Sequence, residues 1–223
     1  MKAIIFDLDN TLYDVEQYYL GVFKEIANYL SKKYGLSKQE IYKRLVNCWN
    51  EKTSMYSHLF DDLLDSFNLE NELENVIKVF NDYDGELKPY SDVIPTLKEL
   101  KERNYKLGIV TDGNVERQKR KIKLLGLERF FDIIVFTKEL NNPKPSEIPF
   151  QEVINKLEVS PQKSFYVGDN PLIDFEGAKK VGMKTVRLLK GEFKNIPKNK
   201  FIDYEIKDIK ELLSAVEGEG GEI

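Results

Sequence analysis

Two aspartates separated by a single residue follow the first apolar run of the chain. Asp7 and Asp9 come directly after Ala3 to Phe6, a run typical of a strand that is buried on both faces. Ligands bind at the carboxyl ends of the strands in an open parallel sheet. Two carboxylates held there repel each other, by roughly 1 kcal/mol at 4 Å in water, so a divalent cation would stabilise the pair. Acidic residues after strands also cap turns and helices, so the pair alone leaves both interpretations open.

Polar residues also accompany later apolar runs of the chain. Thr111 ends the run that begins at Lys106, and Asp169 follows Ser164 to Gly168. Lys144 lies between two prolines in a loop that precedes a predicted helix. The C-terminal ends of parallel strands lie on one edge of a sheet, so we expect these side chains to converge with the aspartate pair. This expected convergence favours a catalytic role for Asp7 and Asp9 over a role in capping turns or helices.

Phosphoryl transfer is the chemistry that such a set of residues suits. Phosphate monoesters hydrolyse very slowly in water, so catalysis depends on positioning and on neutralising charge. Asp7 can act as a nucleophile and form an aspartyl-phosphate, while Asp9 can protonate the leaving oxygen and then activate water. We expect Mg²⁺ to be held by Asp7, Asp169 and the backbone carbonyl of Asp9, which would allow the nucleophile to approach an anion.

The phosphate group itself needs hydrogen-bond donors and positive charge. Thr111 and the backbone N–H groups of Asp112 and Gly113 could bind its oxygens, helped by the N-terminus of the following helix. Lys144 would neutralise the remaining charge. We therefore predict a phosphate-binding set made of these four residues.

The elements that must position these residues fall into two groups. Residues 14–84 show helical periodicity without strands and predict four helices, one of which begins at the capping sequence Ser37 to Glu40. From residue 85 onward, apolar strands alternate with helices, which predicts right-handed βαβ units and a parallel sheet. We expect an α/β core with a Rossmann-like sheet at 1–13 and 85–216, an all-helical insert at 14–84, and a disordered tail at 217–223.

The composition excludes several other classes of function. With 41% hydrophobic residues the chain can bury a core, and its formal net charge of −4 disfavours a nucleic-acid partner. One Cys and one His exclude an internal disulfide and a Cys/His zinc site. No apolar run approaches the length of a membrane span and no signal peptide is visible, so we expect a cytoplasmic protein without a membrane partner. We expect a solvated helix face at Lys119, Arg120, Lys121 and Lys123.

Four stretches resemble, in order, the motifs of the haloacid dehalogenase superfamily, in the branch that carries a helical cap after the first strand. They are Phe6 to Leu12, Val110 to Gly113, Lys144-Pro145 with Phe150, and Val167 to Asp174. The resemblance implies that Asp7 is the nucleophile, Asp9 the general acid/base and Asp169 the third metal ligand. It also implies that Thr111 and Lys144 bind the phosphoryl group.

The resemblance leaves three points to be decided by the structure. Asp174 would orient Lys144 or the water shell of the metal, and the competing interpretation is a negative charge favoured by a helix N-terminus. Asn114 is a candidate substrate contact, although we expect substrate choice to lie mainly with the cap. The loop before Lys144 carries Asn141-Asn142-Pro143 in place of the expected glycine. A displaced Lys144 would leave Lys138 as a poor substitute.

Asp9 discriminates among the activities of this superfamily. The dehalogenases lack an acid at its position and do not need Mg²⁺, so Asp9 favours a phosphatase acting on a small phosphorylated metabolite. A sugar-phosphate mutase stays possible because it also needs both acids and a cap. Less favoured are a 2-haloacid dehalogenase-like hydrolase, a phosphorylated receiver module and a catalytically inactive binding protein. The oligomeric state that we expect is a monomer or a homodimer.

Overall fold

The structure is a computed structural model that describes residues 2–217. The disordered tail that the sequence predicts at 217–223 lies outside these residues, apart from Glu217. That residue ends the last helix, in which the preceding residue Val216 is buried.

A parallel sheet of six strands forms the centre of the α/β part of the described chain. Its strands are β1 (Ala3–Phe6), β2 (Lys106–Thr111), β3 (Ile133–Phe136), β4 (Ser164–Gly168), β5 (Lys184–Leu188) and β6 (Tyr204–Ile206). They lie in the order β3-β2-β1-β4-β5-β6, and every neighbouring pair is parallel. The predicted parallel α/β fold is confirmed.

Strands β1, β2 and β4 end within two residues of one another in the sheet register. Phe6 in β1 pairs with Ile109 in β2 and with Val167 in β4. The backbone N–H of Asp7 continues this pairing and donates to the carbonyl of Val167 at 2.8 Å. β1 is buried along its whole length because strands flank it on both sides. The residues that follow these strands therefore share one edge of the sheet.

The chain divides into two compact units. One comprises the described residues of Met1–Val15 and Glu86–Ile223, and the other is Glu16–Gly85. The second unit contains α1 (Glu16–Tyr34), α2 (Lys38–Lys52), α3 (Leu59–Asp65) and α4 (Leu73–Asp82). Ser37 caps α2, since its hydroxyl accepts a hydrogen bond from the backbone N–H of Glu40 at 3.3 Å. The start that the capping sequence predicts for this helix is confirmed.

A buried carboxylate fastens two helices of this unit together. Glu72, only 3% exposed, precedes α4 and accepts hydrogen bonds from Lys33 at 2.8 Å and Tyr34 at 2.6 Å near the end of α1. Tyr29 and Asn75 also donate to it. The donors outweigh the effect of burial and lower the pKa of Glu72 to about 2. The carboxylate is therefore ionised at neutral pH and fully supplied with donors.

Five helices accompany the sheet in the described part of the first unit. They are α5 (Val93–Glu102), α6 (Val115–Leu124), α7 (Ile148–Leu157), α8 (Phe175–Val181) and α9 (Leu212–Glu217). Phe150 in α7 and Phe175 in α8 pack edge-on against Tyr166 of β4, with ring centroids 4.8 and 6.3 Å apart.

Across residues 2–217, no helix combines the length and apolar character needed to traverse a bilayer.

Candidate active site

Lys144 meets the first aspartate of the chain at the edge of the sheet. Its Nζ lies 2.6 Å from Oδ1 of Asp7 and 2.6 Å from Oδ1 of Asp174, and all three side chains are at most 8% exposed. Burial acts to lower the pKa of Lys144, but the charges of Asp174 and Asp7 raise it well above its ordinary value. Lys144 is therefore a buried ammonium shared by two carboxylates.

The unusual loop before Lys144 does not displace it. Asn141 has a φ of 52° and takes the left-handed conformation that favours glycine. Asparagine tolerates this conformation better than most residues, so it can stand where the family pattern has glycine. Lys138, considered as a poor substitute, is exposed, and the structure brings Lys144 to the site in spite of the altered loop.

Three carboxylates gather around this lysine. Asp7, Asp169 and Asp174 each offer an oxygen, and these atoms lie within 4.8 Å of one another. Burial raises the pKa of Asp7 to about 7, with Lys144 opposing and Asp174 and Asp9 adding to the rise. Burial, followed by the charges of Asp174 and Asp7, raises the pKa of Asp169 well above its ordinary value. A single ammonium therefore does not compensate the full charge of this cluster.

The donor set of this cluster fits Mg²⁺. Its ligand atoms are carboxylate oxygens, which a hard divalent cation prefers, and Oδ2 of Asp169 is buried without a hydrogen-bond partner. A buried acceptor with no donor is costly, and a cation beside it would remove that cost. Asp7 and Asp169, both predicted as ligands, belong to the cluster.

The carboxylate of Asp9 has different partners from that of Asp7. Lys121 Nζ lies 2.8 and 3.0 Å from its two oxygens, the hydroxyl of Tyr13 donates to Oδ1 at 2.5 Å, and the amide of Gln118 donates to Oδ2 at 3.1 Å. Burial acts to raise the pKa of Asp9, but the charge and hydrogen bond of Lys121 lead the effects that lower it. This side chain lies outside the group of three carboxylates, and the role expected for its backbone carbonyl stays a prediction.

The expectation of a solvated basic face on α6 is wrong for Lys121. Its side chain is 2% exposed, because it lies three residues after the buried Gln118 and directly before the buried Ile122. Residues three and four apart share one face of a helix. Burial acts to lower the pKa of Lys121, while Asp9 opposes that change. The helical spacing of Lys121 relative to Gln118 and Ile122 is the sequence feature that indicates a buried position. The basic residues on either side of Lys121 instead favoured the interpretation of an exposed face.

Thr111 and the residues after it are tied to neighbours by their side chains. Thr111 Oγ1 accepts a hydrogen bond from Gln118 at 2.7 Å. Asp112 accepts from the hydroxyl of Thr137 and, at 3.2 Å, from the backbone N–H of Lys144, so it fastens the lysine loop. Asn114 caps the N-terminus of α6 by accepting from the N–H of Arg117 at 3.1 Å.

Asp174 lies against the end of β4, where it accepts a backbone hydrogen bond and approaches Gly168 closely. Its Oδ2 accepts from the backbone N–H of Asn170 at 2.8 Å. A Cβ added at Gly168 would lie 2.5 Å from the same oxygen, so only glycine allows this approach. Although Asp174 stands before α8, its side chain makes no capping hydrogen bond there. The contact with Lys144 supports the orienting role over the helix-charge interpretation.

Tyr166 is a member of the site that the sequence did not point to. Its hydroxyl lies 3.2 Å from Nζ of Lys144 and 3.2 Å from Oδ1 of Asp174. Tyr166 sits in the middle of a buried strand, where an aromatic residue is ordinary core, so its type and position carried no signal of this contact.

The chain matches a known family over most of its length. The profile of the haloacid dehalogenase-like hydrolases covers residues 4–188. The chain therefore belongs to the haloacid dehalogenase-like hydrolase family, and the resemblance of its four motifs to that superfamily is confirmed. The prediction of a hydrolase is confirmed with it.

Similar proteins match along nearly the whole chain. Glyceraldehyde 3-phosphate phosphatase of Methanopyrus kandleri is 34% identical, with 97% of each chain covered. Pyrophosphatase PpaX of Bacillus pumilus is 30% identical, with 97% of this chain and 96% of the relative covered. The crystal structure of an HAD phosphatase from Thermococcus onnurineus has a TM-score of 0.70 and 32% identity, with 98% and 99% covered. All three are named as phosphatases.

Proposed function

We propose that this hydrolase is a Mg²⁺-dependent phosphatase for a small phosphorylated metabolite, with Asp7 as its nucleophile. The observation that carries the proposal is the contact of Asp7 with Lys144, beside a buried Asp169 and Asp174. A nucleophilic carboxylate next to an ammonium suits attack on an anionic phosphate, and the phosphatase names of the similar proteins support the same reading.

The ligands that we propose for Mg²⁺ are Asp7, Asp169 and the backbone carbonyl of Asp9. The ion would supply positive charge, so that an anionic phosphate can approach an ionised Asp7. Asp174 is the third acid of the cluster, but its Oδ1 is engaged with Lys144 and its Oδ2 with Asn170. We therefore assign Asp174 to holding Lys144.

The first half of the reaction forms a phospho-enzyme. A carboxylate oxygen of Asp7 bonds to phosphorus while the bond from phosphorus to the leaving oxygen breaks. A proton moves from the carboxyl group of Asp9 to the leaving oxygen, which departs as an alcohol. Thr111, the N–H groups of Asp112 and Gly113, and Lys144 bind the phosphate oxygens throughout.

The second half of the reaction releases phosphate. Asp9, now a carboxylate, takes a proton from a water molecule whose oxygen bonds to phosphorus. The bond between phosphorus and the oxygen of Asp7 breaks, and its electron pair returns to Asp7. Lys121 lowers the pKa of Asp9 and favours the ionised form that this step needs, whereas the first half of the reaction requires Asp9 to take up a proton before the leaving oxygen departs.

The substrate class that we propose first is a small sugar phosphate such as glyceraldehyde 3-phosphate. The support is the name of the relative from Methanopyrus kandleri, which matches this chain at 34% identity. Inorganic pyrophosphate is the comparison compound, because the relative from Bacillus pumilus is a pyrophosphatase.

A panel of phosphate compounds tests this proposal. Wild-type protein with Mg²⁺ should release phosphate from a sugar phosphate, and Asp7→Asn should reduce turnover by at least about 10³-fold without changing the circular dichroism spectrum. The same change at the exposed Asp65 is the control. Wild-type turnover in Asp7→Asn would overturn the nucleophile, and a product that keeps its phosphate at a new position would indicate a mutase.

A further inference from the structure

Gln118 and Lys121 connect side chains from two separate motifs. Lys121 Nζ lies 2.8 Å from Oδ1 and 3.0 Å from Oδ2 of Asp9. Gln118 Nε2 lies 3.1 Å from Asp9 Oδ2 and 2.7 Å from Thr111 Oγ1. The side-chain amide of Gln118 therefore donates to both Asp9, the proposed general acid/base, and Thr111, the proposed phosphate-binding residue. Lys121, about one turn later in the same helix, contacts both carboxylate oxygens of Asp9.

The stability of the fold does not explain these two residues. Lys121 is 2% exposed and Gln118 is 1% exposed, and Oε1 of Gln118 is buried without a hydrogen-bond partner. Lysine is almost never fully buried unless paired, and apolar residues of similar volume often stabilise a fold as well as a buried ion pair. An apolar residue at position 121 would extend the buried face that Ile122 already forms. The lysine and the amide therefore point to a role at the site.

We propose that Lys121, assisted by Gln118, is a positioning residue that holds the carboxyl group of Asp9 in the orientation for proton transfer to the leaving oxygen. The inference rests on the role of Asp9 in the proposed function. Two contacts from one ammonium restrict rotation of the carboxyl group, and the hydroxyl of Tyr13 adds a third donor at 2.5 Å. Catalysis is sensitive to such orientation, because small displacements of a reacting group lower the rate strongly.

Substrates with different leaving groups reveal this role. Nitrophenolate leaves as an anion with little need of a proton, whereas an alkoxide needs the proton that Asp9 delivers. In Lys121→Met, kcat/KM for the best alkyl phosphate of the panel should fall about tenfold or more beyond its fall for p-nitrophenyl phosphate, since general acids contribute 10²–10⁴-fold. A merely structural role would lower both values alike.

Matched variants separate this effect from folding and from charge. Lys123→Met makes the same substitution at an exposed position of the same helix and should leave both kcat/KM values unchanged. Lys121→Arg keeps the charge and should restore part of the lost selectivity for the alkyl phosphate. If Lys121→Met does not fold by circular dichroism, Gln118→Met should show the same leaving-group dependence with a smaller amplitude.

The double variant identifies the residue through which Lys121 acts. Asp9→Asn with Lys121→Met should be no slower than Asp9→Asn alone, because residues that act as a unit are non-additive. An equal fall on both substrates in folded Lys121→Met, or additive losses in the double variant, would overturn the inference and leave the role of Asp9 intact. Wild-type turnover in Asp9→Asn would instead overturn the proposed mechanism.

Discussion

Lys144 Nζ lies 2.6 Å from Oδ1 of Asp7, although 137 positions separate the two residues in the chain. The same ammonium lies 2.6 Å from Oδ1 of Asp174, and the three side chains are buried together. One positive charge therefore serves two carboxylates. Removal of this charge should affect the stability of the fold as well as the chemistry of the site.

Replacing Lys144 by methionine should abolish turnover and destabilise the metal-free protein. The variant leaves Asp7 and Asp174 buried without their counter-charge, and breaking a buried ion pair costs about 3–5 kcal/mol in the free energy of unfolding. Urea unfolding in EDTA measures the loss, and phosphate release measures activity. Lys138→Met, on an exposed lysine of the preceding segment, should change neither quantity. A variant at position 144 as stable as wild type would contradict the charge argument.

Replacing Asp169 by asparagine should have opposite effects on the Tm relative to wild type in the absence and in the presence of Mg²⁺. The native pKa of Asp169 is raised well above its ordinary value, so its ionised form is disfavoured in the fold and opposes folding at neutral pH. In EDTA the variant should therefore have a higher Tm than wild type at neutral pH. The difference should shrink as the pH falls and disappear below 3.8, the ordinary pKa of this carboxyl group, because Asp169 is then protonated in both states.

Added Mg²⁺ should reverse the order of the two Tm values, so that wild type becomes more stable than Asp169→Asn. A ligand that binds only the native state raises Tm, and Asp169→Asn removes one proposed ligand. We expect Mg²⁺ to raise the Tm of wild type and of the control Asp65→Asn, and to have little effect on Asp169→Asn. An equal rise in all three proteins would remove Asp169 from the metal site.

Replacing Asp9 by asparagine should allow phospho-enzyme to accumulate. With p-nitrophenyl phosphate the first half of the reaction needs little proton donation, whereas activation of water depends on Asp9. Turnover should fall by about 10²–10⁴-fold, the usual contribution of general acid–base catalysis. Intact-protein mass spectrometry after acid quenching should then detect a phosphorylated chain that Asp7→Asn lacks. Absence of any phosphorylated chain in a slow Asp9→Asn variant would argue against an aspartyl-phosphate.

Replacing Glu72 by glutamine should weaken the helical unit at neutral pH but not in strong acid. The native pKa of Glu72 is about 2, below its ordinary value of 4.5, because Lys33 and the neighbouring tyrosines donate to the carboxylate. Its contribution to stability is therefore present above pH 4.5 and is lost as the pH falls through 2. Thermal unfolding of both proteins from neutral pH to pH 2 should show their Tm values converging. Glu40→Gln, in an exposed pair with Arg44, should change Tm little at any pH. A constant difference for Glu72→Gln would refute the linkage.

Most of the fold could be predicted because it depends on local patterns. Apolar runs such as Ala3 to Phe6 predict strands, and their alternation with helices predicts a parallel sheet. Since parallel strands share a direction, the positions of Asp7, Thr111 and Asp169 at one edge followed from the order of the elements. The start of α2 followed from its capping serine, whose hydrogen bond is local to the chain.

The pairing of side chains at the site could not be predicted in the same way. Lys121 stands among exposed basic residues, and only the rotation of α6 against the sheet turns it towards Asp9. The contact between Tyr166 and Lys144 depends on the segment after β3, which brings Lys144 to β4, a strand three positions away in the sheet. Composition and periodicity place a residue on a face but do not choose its partner.

The sequence by itself determined the family, the parallel α/β fold and the set of acids, hydroxyl and lysine that belong to its motifs, because these depend on residue type, order and periodicity. Only the tertiary structure decided that Lys144 is shared by Asp7 and Asp174, whereas Lys121 is committed to Asp9. The physical reason is that an ion pair between distant residues depends on distances of a few ångströms and on burial. Both are properties of the packed chain and not of any one segment.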